Sequence, residues 1–224
     1  MERKFKAALF DLDGVVLDTE SQYSEFWGQM GREYRPDVPD FALRIKGQTL
    51  VQIYDKWITD AGVQAEITRR LNTFEAGMTY NYIRGTRAYV EHLRNEGILT
   101  AIVTSSNRPK MENVFRARPE LKSLFDHILT AEDFSESKPS PDCYLRAAAS
   151  FGVDIRDCVV FEDSLNGLRA GRASGAYVVG LATTNPREAI ESLCDEVVEG
   201  PLMEETEGWG GNSLPLMGET EGAI

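Results

Sequence analysis

The sequence predicts an α/β fold, a doubly wound parallel sheet with an inserted α-helical cap, and three observations lead there. Short apolar runs without helical period recur at residues 7–10, 99–103, 127–129, 158–161 and 176–179, each cut off by polar or turn-forming residues as buried strands are. Helix-like stretches separate these runs, and that alternation is the pattern of parallel strands joined by crossover helices. The interval between the first run and the second is far longer than one crossover helix needs, so a further unit is spliced in there.

The insert opens at Thr19-Glu20-Ser21-Gln22, a capping-box pattern, followed by Tyr23, Phe26, Trp27 and Met30 at helical spacing. Trp27 reads there as cap core. Amphipathic stretches continue over residues 50–61 and 65–83. Past the insert, Thr86 is placed to cap a helix stopping at Gly97, Ser140-Pro141 to open one stopping at Gly152, and Ser164 to cap one stopping at Gly175. The expected organisation is a sheet domain of residues 1–16 plus 86–199, a helical cap of residues 17–85, and a Gly- and Glu-rich tail of residues 200–224. The tail repeats itself nearly once, from Pro201 and again from Pro215, which is too little for a repeat array and reads as a poorly ordered acidic segment.

A net charge of -12 over 224 residues argues against nucleic acid or an anionic membrane as partner, because phosphate backbones are bound by clustered Lys and Arg. An anionic substrate must then be met by a local positive centre, such as a divalent cation with one or two Lys residues. The cysteines, Cys143, Cys158 and Cys194, are odd in number and lack zinc-site or disulfide-framework spacing, so a reducing, cytoplasmic setting is expected. The apolar run ending at Phe10 is too short for a signal sequence or a membrane span.

In an open parallel sheet ligands bind outside the carboxyl ends of the strands. Four polar groups stand there: Asp11 and Asp13 after the first run, Thr104-Ser105-Ser106-Asn107 after the second, Lys138 after the third, and Glu162-Asp163-Ser164 after the fourth. Each alone has an ordinary explanation as a turn, a helix entry or a solvated loop. Asp11-Leu12-Asp13-Gly14 is no calcium loop, since the later ligand positions and the closing Glu are missing. Four groups on successive strand ends of one sheet can, however, converge on one point.

In this order the residues resemble the haloacid dehalogenase superfamily, over residues 7 to about 180. The resemblance implies a Rossmann-like core with the helical cap between the first and second motifs, and phosphoryl transfer with Mg²⁺. It implies Asp11 as nucleophile forming an aspartyl-phosphate, Asp13 as general acid and base, and Lys138 as the cation that neutralises the phosphoryl charge. Thr104 would bind a phosphoryl oxygen, with Ser105, Ser106 and Asn107 beside it at the helix start. Asp11, the Asp13 carbonyl, Glu162 and Asp163 would hold the metal. Members that act as dehalogenases lack the second Asp of the first motif, which is present here as Asp13.

The nearest group within that superfamily is similar to beta-phosphoglucomutases and sugar-phosphate phosphatases. Tyr23, Leu50 and Asn107 stand where such mutases carry His, Arg and Lys, so the mutase's basic groups are absent and hydrolysis of a small phosphorylated metabolite, a sugar or polyol phosphate, is favoured. An isomerase and a non-catalytic binding module with the same fold are the alternatives. Lys46-Gly47-Gln48 reads either as the cap's substrate loop or as a plain surface loop. Oligomeric state is not legible.

Overall fold

The computed structural model describes residues 4–202, so the tail expectation, from residue 203 onward, lies outside the described residues. Six strands form one sheet: β1 (Ala7–Phe10), β2 (Leu99–Val103), β3 (His127–Leu129), β4 (Cys158–Glu162), β5 (Tyr177–Leu181) and β6 (Glu196–Val198). Their order is β3-β2-β1-β4-β5-β6 and every neighbouring pair is parallel. The five expected strands are present within a residue or two. The addition is β6, an edge strand of three half-buried residues; pairing on one side only, it needs no continuous apolar run to mark it.

β1 is buried at all four positions because helices cover both sheet faces. Its side chains alternate between them. Ala8 and Phe10 join one cluster with Tyr89 and Val90 of α5 (Thr86–Asn95) and Met111 and Val114 of α6 (Arg108–Ala117). Ala7 and Leu9 join the other with Tyr144 and Ala147 of α8 (Asp142–Phe151) and Leu168 and Ala170 of α9 (Leu165–Ser174). Short helices α7 (Leu121–Leu124) and α10 (Arg187–Ile190) complete the set. Phe10 stacks on Phe161 with ring centroids 4.5 Å apart, tying β1 to β4 across the sheet's centre. The strand order reverses at β1, and an open crevice is expected there, between the carboxyl ends of β1 and its neighbours.

The insert contains α1 (Glu20–Tyr34), α2 (Phe41–Arg44), α3 (Leu50–Trp57) and α4 (Ala61–Gly77). These enclose a third apolar cluster of Phe26, Trp27, Met30, Phe41, Ile45, Ile53, Ile58, Ile67 and Leu71. The chain enters and leaves this unit on adjacent paths, Asp18 N donating to Asn81 O at 2.8 Å and Ile83 N to Val16 O at 3.0 Å. The amphipathic pattern over 50–61 breaks at Trp57 because Asp60 starts the next helix, its Oδ1 accepting from Val63 N at 2.9 Å.

Three caps differ from expectation. Pro141 rather than Ser140 immediately precedes α8, which starts at Asp142. Thr19 precedes α1 without capping it; its hydroxyl donates to Asp13 Oδ1 at 2.5 Å instead. Thr86 is the first residue of α5, behind Gly85 at φ 80, and its hydroxyl donates to Val15 O at 3.1 Å. Ser164 caps α9 as read, accepting from Gly167 N at 3.0 Å. Among the described residues no helix is long and apolar enough to cross a membrane.

Because Ile67 is fully buried in the third cluster, Ile67→Ala is expected to cost about 3 kcal/mol, through lost transfer energy and the cavity left behind. A urea unfolding curve with a lowered midpoint checks it.

Candidate active site

The strand ends converge as the sequence suggested. Asp11 continues β1, its N–H donating to Phe161 O at 3.0 Å, and its carboxylate accepts from Lys138 Nζ at 2.6 Å on Oδ1. Lys138, 1 % exposed, comes from the loop after β3 and also reaches Glu162 Oε1 at 2.5 Å and Val103 O at 3.1 Å. The turn after β1 is closed by Gly14 N donating to Leu17 O at 2.8 Å, which brings Asp13 over the sheet's end. Asp13 accepts from Thr19 on Oδ1 and from Ser106 Oγ on Oδ2, the latter at 3.0 Å. Thr104 is buried at the end of β2, its N–H bonded to Leu129 O and its hydroxyl accepting from Ser106 N at 3.0 Å.

The insert closes the far side of a cavity of about 420 Å³ lined by Asp11, Asp13, Thr104 and Asp163 below and by α1, α3 and α4 above. Its loop docks on the sheet domain: Ser105 Oγ donates to Gly47 O at 3.3 Å and Asn166 Nδ2 to Lys46 O at 3.0 Å. Gly47 sits at φ 74, and a Cβ there would lie 2.6 Å from Ser164 Oγ, so only glycine allows this approach. Lys46 pairs with Glu20. Gln48 and Asn107 line the cavity but their side chains are largely committed elsewhere, Gln48 to Arg44 O and Trp57 Nε1, and Asn107 Oδ1 to the N–H of Lys110 as the cap of α6. Trp27, read as cap core, packs in the cap cluster and also borders the cavity.

The charges are unbalanced. Burial pushes Asp11 up to about 7 against the pull of Lys138, with Glu162 and Asp13 adding to the rise. Burial would lower Lys138, yet Asp11 and Glu162 outweigh it and hold the ammonium well above its usual range. Burial, then Glu20, Glu162 and Asp11, raise Asp163 far above the usual carboxylate range. For Asp13 burial is outweighed by Lys110, Thr19 and Ser106, which hold it below that range.

Three carboxylates facing one ammonium is a donor set for a hard cation. Oxygens of Asp11, Glu162 and Asp163 lie within 4.8 Å of one another. Among the described residues neither buried Asp163 oxygen takes a hydrogen bond, and Gly14, where a Cβ would fall 2.1 Å from Asp163 Oδ2, lets that oxygen lie against the turn after β1. A divalent cation fits these residues. Glu162, expected as a ligand, is placed differently: Oε1 accepts from Lys138 and Tyr144, and Oε2 from Ser164 Oγ and the N–H groups of Asp163 and Ser164. Its carboxylate already accepts five hydrogen bonds, so within this group of three Asp11 and Asp163 offer the freer oxygens.

The site also holds residues that sequence reasoning missed. Lys110, 4 % exposed, donates to Asp13 Oδ2 at 2.5 Å and lies 4.4 Å from the centroid of the Tyr23 ring. The position where beta-phosphoglucomutases carry Lys remains Asn107, and it is Lys110, three residues on, that brings a further basic group to the site. Lys110 falls in the first turn of the helix following β2, where side chains reach back over the strand ends; that position was the available signal. Tyr23 donates in turn to Glu75 Oε1 at 2.9 Å from α4, a contact across 52 residues that no local pattern encodes.

A family model described as haloacid dehalogenase-like hydrolase matches residues 5–175. Hexitol phosphatase A of Escherichia coli (strain K12) is 32 % identical over 183 residues, covering 79 % of this chain and 82 % of that protein. A bifunctional riboflavin kinase/FMN phosphatase of Arabidopsis thaliana is 26 % identical over 94 % of this chain, which spans 57 % of that protein's length. Among solved structures, a HAD hydrolase, family IA, variant 3, from Entamoeba histolytica HM-1:IMSS superposes with a TM-score of 0.73 at 25 % identity, covering 89 % of this chain and 93 % of that one.

A Cβ at Gly167 would lie 1.8 Å from Glu162 Oε1. Gly167→Ala is expected to displace that carboxylate from Lys138 and destabilise the chain by about 3 kcal/mol, whereas Gly77→Ala, with open space around it, is expected to be near neutral. Thermal melting of the two variants side by side checks this.

Proposed function

Because the chain belongs to the haloacid dehalogenase-like hydrolase family, we propose that it is a phosphomonoesterase for a small phosphorylated metabolite, a sugar or polyol phosphate, working through Asp11. The observation that carries this reading is the buried Lys138 ammonium held between Asp11 and Glu162, with Asp13 beside them at the same cavity. A carboxylate attacking a phosphate ester meets like-charge repulsion, and a preorganised cation at the nucleophile offsets it.

Asp11 attacks phosphorus in line, forming an aspartyl-phosphate as the ester P–O bond breaks. Asp13 protonates the departing alkoxide oxygen and later accepts a proton from the water that hydrolyses the aspartyl-phosphate. Lys110, Thr19 and Ser106 favour its ionised form, which suits the hydrolytic half, so the proton that Asp13 passes to the leaving oxygen is one it takes from the phosphate monoanion as the substrate binds. Thr104 and the N–H of Ser105 bind phosphoryl oxygens. Asp11, Asp163 and the Asp13 carbonyl would hold Mg²⁺, which when bound supplies charge neutralisation at the nucleophile and phosphoryl group.

Residues 1–16 with 86–199 serve as the catalytic core and residues 17–85 as a cap that excludes bulk water, with Lys46 and Gly47 at the contact between them. Tyr23 and Leu50, tied to Glu75 and apolar respectively, favour hydrolysis over transfer to a second sugar hydroxyl.

The test is phosphate release from a metabolite panel with Mg²⁺. Asp11→Asn is expected to lower kcat on the order of 10³-fold or more, and wild-type turnover in that variant would overturn the reading. A coupled dehydrogenase assay on glucose 1-phosphate is expected to show no isomerisation. Chelation is expected to abolish turnover and added Mg²⁺ to restore it, followed in the same phosphate assay.

A further inference from the structure

The cavity is built for more than a phosphate and a short polyol. Its volume of about 420 Å³ lies within the range of pockets that engulf a drug-sized ligand, roughly 300–1,000 Å³. Away from the catalytic aspartates the wall turns apolar: Trp27, Ile45, Ile53, Tyr54 and Leu71 line it. The Tyr54 hydroxyl is turned away, bonded to Thr68 Oγ1 at 2.6 Å and Gln64 O at 3.1 Å. Trp27, Ile45, Ile53 and Leu71 also form the cap's own buried cluster, so it is the edges of these side chains that face the cavity. A hydrated triose phosphate would leave the apolar part of that wall facing water, whereas a ligand with a matching apolar face would cover it.

One polar group is set into this region. Glu75, 5 % exposed, lines the cavity, and among the described residues its carboxylate takes one side-chain hydrogen bond, from the Tyr23 hydroxyl on Oε1. Tyr23 thus touches Glu75 with its hydroxyl and Lys110, the partner of Asp13, with its ring face. Among the described residues no donor bonds Glu75 Oε2, which is not sealed from solvent, and a site offering such an acceptor favours ligands that carry the matching donor.

We propose that the leaving group of the substrate is an alcohol bearing a ring, a pentose or polyol joined to a planar or alicyclic ring system, which lies on the apolar wall while a hydroxyl or N–H of the same group donates to Glu75. This rests on the phosphomonoesterase reading and narrows it. Phosphate, Asp11 and Lys138 act alike on every ester; the ring wall and Glu75 choose among them. Glu75 and Leu71 are specificity-determining positions and take no part in bond making.

The experiment compares kcat/KM, with Mg²⁺, for riboflavin 5′-phosphate, uridine 5′-monophosphate, glycerol 3-phosphate and an acyclic hexitol 6-phosphate, with p-nitrophenyl phosphate as a general reporter. At least one ring-bearing metabolite ester is expected to exceed both acyclic esters by about tenfold or more. Leu71→Trp, which fills the apolar end, is expected to collapse that ratio by about tenfold, and Glu75→Gln to raise KM for the ring-bearing ester with a smaller change in kcat. On the wild-type protein, independently of how either variant folds, the unphosphorylated alcohol of the preferred ester is expected to inhibit glycerol 3-phosphate hydrolysis competitively, and glycerol is not. Acyclic esters turned over as well as ring-bearing ones, or inhibition by neither alcohol, would overturn the inference and leave the phosphomonoesterase intact. Hydrolysis of none of the esters, the reporter included, would overturn the phosphomonoesterase reading and the inference with it.

Discussion

Everything at the centre of this molecule is arranged around one buried ammonium. Lys138 sits at the sheet's carboxyl edge, 2.6 Å from Asp11 and 2.5 Å from Glu162. An isolated charge in that position would cost several kcal/mol to desolvate, so the carboxylates are required for it and it for them. Glu162 is in turn fixed by Tyr144 and by the start of α9, while Gly167 keeps the space its carboxylate needs. The constraint therefore reaches from β1 through β4 into two helices on one sheet face. Among the described residues no Lys or Arg pairs with Asp163, which leaves the cluster with an excess of negative charge that suits a bound cation.

The insert is organised by the same edge of the sheet. Its loop meets Ser105, Ser164 and Asn166, and Gln52 Nε2 donates to the carbonyl of Lys138 itself at 3.2 Å. Ser137 adds a hydroxyl contact to Thr49, the residue that caps α3. A helix cap in the insert and the buried lysine of the core are thus neighbours, and the position of the helical unit over the cavity is felt one residue away from the central ammonium. The insert's own apolar cluster shapes the rest of the cavity, so packing in the helical unit and the volume offered to a ligand are not independent quantities.

Much of this was legible in the chain. The strands announced themselves because a sheet covered on both faces demands uninterrupted apolar runs, and Asp11, Asp13, Thr104, Lys138 and Asp163 stood immediately beyond those runs. The edge strand β6 did not, since a half-buried Glu-Val-Val needs no such run. The capping signals were less faithful: Thr19 and Thr86 had the residue type of caps, but their hydroxyls answered stronger local demands, from the Asp13 carboxylate and the Val15 carbonyl. Glu162 was read with Asp163 as one acidic pair, yet β4 ends at Glu162 and Asp163 lies beyond it, and the two carboxylates have different partners.

By itself the sequence determined the alternation of strands and helices, the place of the insertion and the residues at the strand ends, because hydrophobic period and turn chemistry are local properties. Only the tertiary structure decided that Lys110 reaches Asp13, that Tyr23 bridges towards Glu75, and that the edge of the cap's apolar core borders the cavity. Those contacts join residues separated by 97 and 52 positions. Their existence depends on how α1, α4 and α6 pack, and the period of a single helix carries no information about which neighbour its inner face will meet.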